Sequence, residues 1–151
     1  MKQNNENAMT HYNDPHAEIC EVGFIPLSQV TLKTKIGSPE VDVTIVSGLI
    51  VSDRPQSAQF SEKREASGQY VEQELEAVFT NDEAEFVNDY RDLADDDAIV
   101  FVKYTNGKTL VVGTGLAPVR LALEHSGSPK TLRLSLKRKS PEFAKILKSL
   151  T

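Results

Sequence analysis

The sequence predicts an α+β fold that is mainly antiparallel β, a sandwich or a partly open barrel, with one central helix and a short C-terminal helix. Three observations predict it. Residues 98–105 and 108–112 are β-branched and apolar runs joined by Asn106-Gly107, the dipeptide of tight hairpins. Residues 119–124 and 132–137 alternate apolar and polar on either side of Ser126-Gly127-Ser128-Pro129, the mark of a second, half-buried hairpin. Between 80 and 97, Phe86, Tyr90 and Leu93 recur at four and three residues, which lines one face of a helix.

The chain has 151 residues, about one domain, and a chain of that length buries roughly two-thirds of its unfolded surface. Hydrophobic residues make up 39% and charged residues 26%, a globular balance that excludes disorder of the whole chain. Residues 1–17 are rich in Asn, His and Glu without an apolar period, so they read as a flexible arm preceding one β-rich domain over 18–151. The first seven residues are polar where a signal peptide needs an apolar stretch. The longest apolar runs fall far below the roughly 20 residues of a membrane span. These features predict a cytoplasmic product with no membrane partner, and Cys20, the single cysteine, leaves no internal disulfide.

The individual elements follow in order. Residues 22–32 are apolar, with Pro26 limiting any strand there to an edge or two short pieces. Gly37-Ser38-Pro39 is a turn, after which Val41, Val43 and Ile45 alternate with Asp42 and Thr44 as a strand. Gly48 bends the chain before Leu49-Ile50-Val51, and residues 53–57 are a loop by composition. Val71, Leu75, Ala77 and Phe79 then share one face of an extended strand, with Tyr70, Glu72, Glu74 and Glu76 on the other. Helix competes here, since Glu, Gln, Leu and Ala favour it, but the clean alternation and Gly68 before it favour strand. The central helix is capped by Thr80 with Glu83, or by Asn81. In the first hairpin a two-residue type I′ turn sets Thr105 opposite Lys108 and Val102 opposite Val111. The final helix starts at Ser140-Pro141, with Phe143, Ile146, Leu147 and Leu150 along one side.

No motif carries catalysis. Gly113-Thr114-Gly115 lacks the later glycine of a dinucleotide fingerprint and the Gly-Lys-Ser/Thr of a phosphate loop, so it is a turn. Asp92, Asp95, Asp96 and Asp97 lack calcium-loop spacing. His11, His16 and Cys20 are interrupted by Pro15 and lack a fourth ligand. No serine near His125 has a nucleophile motif around it. The expectation is a protein that is not an enzyme and has no cofactor and no metal.

Charge is the sharper signal. Residues 120–151 hold eight Lys/Arg against two Glu, a net of +6. The remainder holds nine basic and twenty acidic residues, a net of −11, and the chain totals −5. Such a split suits acidic-to-basic contact between copies of the chain, or nucleic acid at the basic end. Arg133, Lys137, Arg138 and Lys139 are the candidate partner or nucleic-acid surface. Against nucleic acid, the segment lacks aromatics for base stacking.

The stretch Tyr104-Thr105-Asn106-Gly107-Lys108-Thr109-Leu110-Val111-Val112-Gly113-Thr114, followed by Pro118-Val119-Arg120-Leu121 and Lys139-Ser140-Pro141, resembles small uncharacterised phage and prophage proteins of Bacteroides-like bacteria. The resemblance covers roughly residues 70–143. It implies a structural component of the virion, of tail or neck type, located in the host cell or the particle. No functional residue carries over, because the pattern marks turns and core. The expected function is therefore a non-catalytic, self-associating assembly protein whose partners are its own copies or other virion proteins. The alternative is a nucleic-acid-binding module using the basic C-terminal hairpin.

Overall fold

A computed structural model describes residues 17–34, 37–65, 68–80, 96–114, 117–127 and 130–151, with the backbone alone at 123, 125–127 and 130. Of these, 64% are strand and 3% helical. The strands are β1 (Ile19–Pro26), β2 (Val30–Lys33), β3 (Glu40–Ile45), β4 (Val51–Asp53), β5 (Ser57–Arg64), β6 (Val71–Phe79), β7 (Ala98–Tyr104), β8 (Thr109–Val112), β9 (Ala122–Gly127), β10 (Lys130–Ser140) and β11 (Lys145–Leu150). They form a seven-stranded sheet in the order β2-β3-β11-β8-β7-β1-β4 and a four-stranded sheet in the order β5-β6-β10-β9. All neighbours are antiparallel except β11 and β3.

The larger sheet curls. Pro26 ends β1, and a three-residue 3-10 turn, Leu27–Gln29, leads straight into β2. In sheet order β1 and β2 are five strand spacings apart, about 24 Å if the sheet were flat. The four residues from Pro26 to Val30 reach about 14 Å at most. The sheet must therefore bend its β2 edge back towards β1.

Bending gives the larger sheet two buried faces. One face packs on the smaller sheet: Val22, Phe24, Val100, Val102, Leu110 and Val112 meet Leu75, Ala77, Phe79, Leu132, Leu134 and Leu136. The other wraps a second core of Ile25, Val30, Val41, Val43, Ile99, Phe101 and Val111. At the other edge, Gly23 lets β4 pair closely with β1. A Cβ there would come within 2.7 Å of Ser52 Cβ and 2.9 Å of Ile50 Cγ2, so β4 lies close against β1 only over a glycine.

The expected α+β class is corrected to all-β for the described residues, which contain no α-helix. The C-terminal helix is instead β11, inserted between β3 and β8. Its apolar residues fit a helical stripe, yet Ile146 serves one core and Leu147 the other, on opposite faces as successive strand residues are. The sheet overrides the local preference. The expected central helix rests on residues 81–95, which lie outside the described residues, while Thr80, Asp96 and Asp97 beside them are not helical.

The first hairpin is shifted by one residue from expectation. Val102 pairs with Leu110 and Lys103 with Thr109. Asn106 does not take positive φ, whereas Gly107 does at 87°, so the loop has three residues and a glycine bulge in place of the two-residue turn. A slip normally exposes a core face. Here both faces of β7 and β8 are buried, so either register hides apolar side chains. The second hairpin pairs β9 with β10, with Gly127 opposite Lys130. Strand β5, for which the sequence gives no expectation beyond the loop at 53–57 before it, is the element missing from the sequence-based account.

Candidate functional site

The smaller sheet carries every residue of the expected partner surface, and its pleat sorts them. On β10, Leu132, Leu134 and Leu136 point inward, so Arg133, Lys137 and Lys139 point outward and Arg138 points inward. Arg138 Nη1 donates to Ala117 O at 2.9 Å and to Pro118 O at 3.0 Å. Burial holds its guanidinium below the ordinary arginine value. Arg138 is thus a tether for the loop before β9, not a surface contact.

The outward cations do not form a basic patch. Register sets Lys137 opposite Glu74 and Lys139 opposite Glu72 on β6. Arg133 lies opposite Glu124 on β9 and 3.9 Å from Glu76. On the far side of β6, Lys63 faces Glu72. Lys139 also reaches Glu65 at 3.3 Å and lies 5.7 Å from the Tyr70 ring centroid. Five carboxylates and four cations therefore share one face, each cross-strand pair adding about 0.2–1 kcal/mol. On this face strand pairing sets the basic segment's cations among carboxylates, most of them from elsewhere in the chain.

Beneath that face, at its inner edge, lies a polar joint. Glu62 Oε2 accepts from Gln73 Nε2 and from the backbone N of Ala144, both at 2.7 Å. Arg64 stacks over Phe143 at 5.0 Å. Glu142 Oε1 accepts from Gly37 N at 3.1 Å, and its Oε2 lies 3.3 Å from the buried Lys145 Nζ. Lys145 Nζ also donates to Ser38 O at 2.5 Å. Together these contacts pin the corner where the chain leaves β10 for β11. Neither Glu62 nor Gln73 has a sequence motif, although Ala58, Phe60 and Glu62 alternate with Gln59, Ser61 and Lys63 as a strand would.

The second surface feature is an edge. Strand β5 pairs only with β6 among the described residues. Along its open side runs a groove of about 680 Å³, lined by Ile19, Pro55, Ala58, Phe60, Ser61 and Tyr104 among others. Burial, and secondarily the charge of Glu62, push the Tyr104 hydroxyl up to about 12. At the opposite end of β1, Val46 and Leu49 project from the β3–β4 loop at 67% and 81% exposure. Val46 N and Ser47 N both donate to Gln29 O, at 2.8 and 3.3 Å, which holds the base of this loop.

Among the described residues no group of three or more His, Cys, Asp or Glu is arranged to hold a metal ion, and no helix is long and apolar enough to cross a membrane. Cys20 is a half-buried free thiol on β1. Asp97 pairs with Arg120 at 3.0 Å; His11, His16, Asp92 and Asp95 lie outside the described residues, as does the His125 side chain. Gly113 leads into a turn closed by Thr114 and Ala117, with Thr114 N donating to Ala117 O and Ala117 N to Thr114 Oγ1, each at 3.0 Å. No protein-family model, no curated protein and no solved structure matches the chain.

Proposed function

We propose that the protein is a non-catalytic assembly subunit that associates with copies of itself, in the setting of a phage or prophage particle, as a tail or neck component. The open side of β5, running along a groove, carries the reading. A strand edge offers unpaired N–H and C=O groups to another chain, and heterologous contacts of this kind close into rings when the rotation permits. The held, apolar loop tip at Val46 and Leu49 adds contact area at the other end of β1. The placement in a virion rests on the resemblance of residues 70–143 alone.

Light scattering on the full chain across salt concentrations tests the reading. The expected result is a mass above the monomer that survives moderate salt, because edge pairing and apolar contact are screened little. A strict monomer at low and moderate salt counts against it. The nucleic-acid alternative loses support from the mixed-sign outer face, where Arg133, Lys137 and Lys139 alternate with glutamates.

A further inference from the structure

A small cavity lies where the inner end of the four-stranded sheet meets the corner before β11. Its volume is about 30 Å³, and Gln73, Arg138, Ser140 and Lys145 are among its lining residues. Gln73 is 1% exposed, and among the described residues no group donates to its Oε1. The amide cannot turn to cure this, since its Nε2 already donates to the Glu62 carboxylate at 2.7 Å, and a reversed amide would set oxygen against oxygen.

An acceptor buried in this way costs about 1–3 kcal/mol unless a donor reaches it. Arg138 sits directly across the strand pair from Gln73, with only the two carbonyls of Ala117 and Pro118 as its hydrogen-bond acceptors among the described residues. The remaining lining groups are satisfied: Ser140 Oγ bonds the Glu142 backbone, and Lys145 bonds Ser38 and Glu142.

We infer that this cavity is a built hydration site holding one or two structural waters between Gln73 Oε1 and Arg138. Size is the first reason, because a water needs about 10–15 Å³ of such volume and no metabolite fits in 30 Å³. Charge is the second. A cation would face Arg138 and Lys145, and an anion would face Gln73 Oε1. A water donates to Oε1 and accepts from the guanidinium, so it alone satisfies both. It would join Gly113, Thr114 and Ala117, and the segment 140–145, to β6.

Crystals of the full chain, soaked in bromide, test this. The expected result is an ordered peak about 2.7–3.2 Å from Gln73 Oε1 without anomalous signal. In Gln73→Met the peak is lost while the fold persists. Anomalous bromide density in the cavity would make it an anion site and overturn the inference. So would a cavity without density in the wild type, or a peak that survives in Gln73→Met. Should the variant not fold, the wild type in solution decides. Cross-relaxation between a long-lived water and the Gln73 side-chain amide is expected, and its absence sinks the idea.

Discussion

Glu62 and Ala144 are 82 positions apart, and the carboxylate of the first accepts the backbone N–H of the second at 2.7 Å. The same oxygen accepts from Gln73 at 2.7 Å. One side chain on the edge strand β5 therefore fixes both its neighbour β6 and the segment that carries the chain to the other sheet. Hydrogen bonds to a charged acceptor contribute about 1.5–3 kcal/mol, and loss of the acceptor strands buried donors. Glu62→Ala is expected to lower stability by about 2–3 kcal/mol in denaturant titration, and Glu62→Gln by less, since the amide oxygen can still accept. Equal losses in the two variants would mean that charge, not hydrogen bonding, is the main contribution.

The outer face of the four-stranded sheet yields a prediction of sign. Lys137 lies opposite Glu74 on the exposed face. Lys137→Glu puts like charges directly across a strand pair and is expected to cost about 0.5–1 kcal/mol, reduced by added salt. The same geometry predicts that Arg133, Lys137 and Lys139 changed together to Ala leave DNA and RNA affinity unchanged at physiological salt. A large loss of affinity in that triple variant would restore the nucleic-acid reading.

Strand β11 lies inside the seven-stranded sheet, between β3 and β8. Deleting residues 145–151 removes it and splits that sheet, exposing the open sides of β3 and β8 at once. The expected outcome is loss of cooperative unfolding and aggregation, not a modest loss of stability. A truncated chain that still melts cooperatively would show that the smaller sheet and its core fold without it.

What the sequence made legible follows from how many faces each strand buries. Strand β6 has one inner and one outer face, so Val71, Leu75 and Ala77 alternate with glutamates and the strand can be read directly. The inward turn of Arg138 was legible too, by continuing the parity of Leu132, Leu134 and Leu136 two residues further. Strands β7 and β8 bury both faces, and β11 turns Ile146 to one core and Leu147 to the other, so alternation disappears. That is why the register of the Asn106-Gly107 hairpin slipped by one and why Ile146-Leu147 read as a helix. The neutral outer face was beyond reach for a different reason: charge summed along a chain says nothing about which strands become neighbours.

Tyr104 supplies a pH prediction. Burial, with the charge of Glu62, raises its hydroxyl from 10 to about 12. The folded state thus keeps a proton that the unfolded chain gives up near pH 10. Its contribution is complete below pH 10 and is lost as pH rises through 12, to a total of about 2–3 kcal/mol. Tyr104→Phe keeps the ring in the core and removes the titration. The wild type is expected to lose stability faster than Tyr104→Phe between pH 10 and 12, and parallel curves would count against a buried phenol.

The open side of β5 gives the most direct test of self-association. Glu65 N donates to Tyr70 O at 3.0 Å, so the odd-numbered residues of β5 exchange bonds with β6 and the even-numbered ones turn their N–H groups outward. Ala58 is among the latter, and its side chain packs against the core. Ala58→Pro removes an outward donor without breaking a bond to β6, and its ring blocks an approaching strand. The variant is expected to remain folded, with a melting temperature within a few degrees of the wild type, and to scatter as a monomer. A folded Ala58→Pro that still assembles would move the contact away from this edge, and Leu49→Asp then asks whether the apolar loop tip carries it instead.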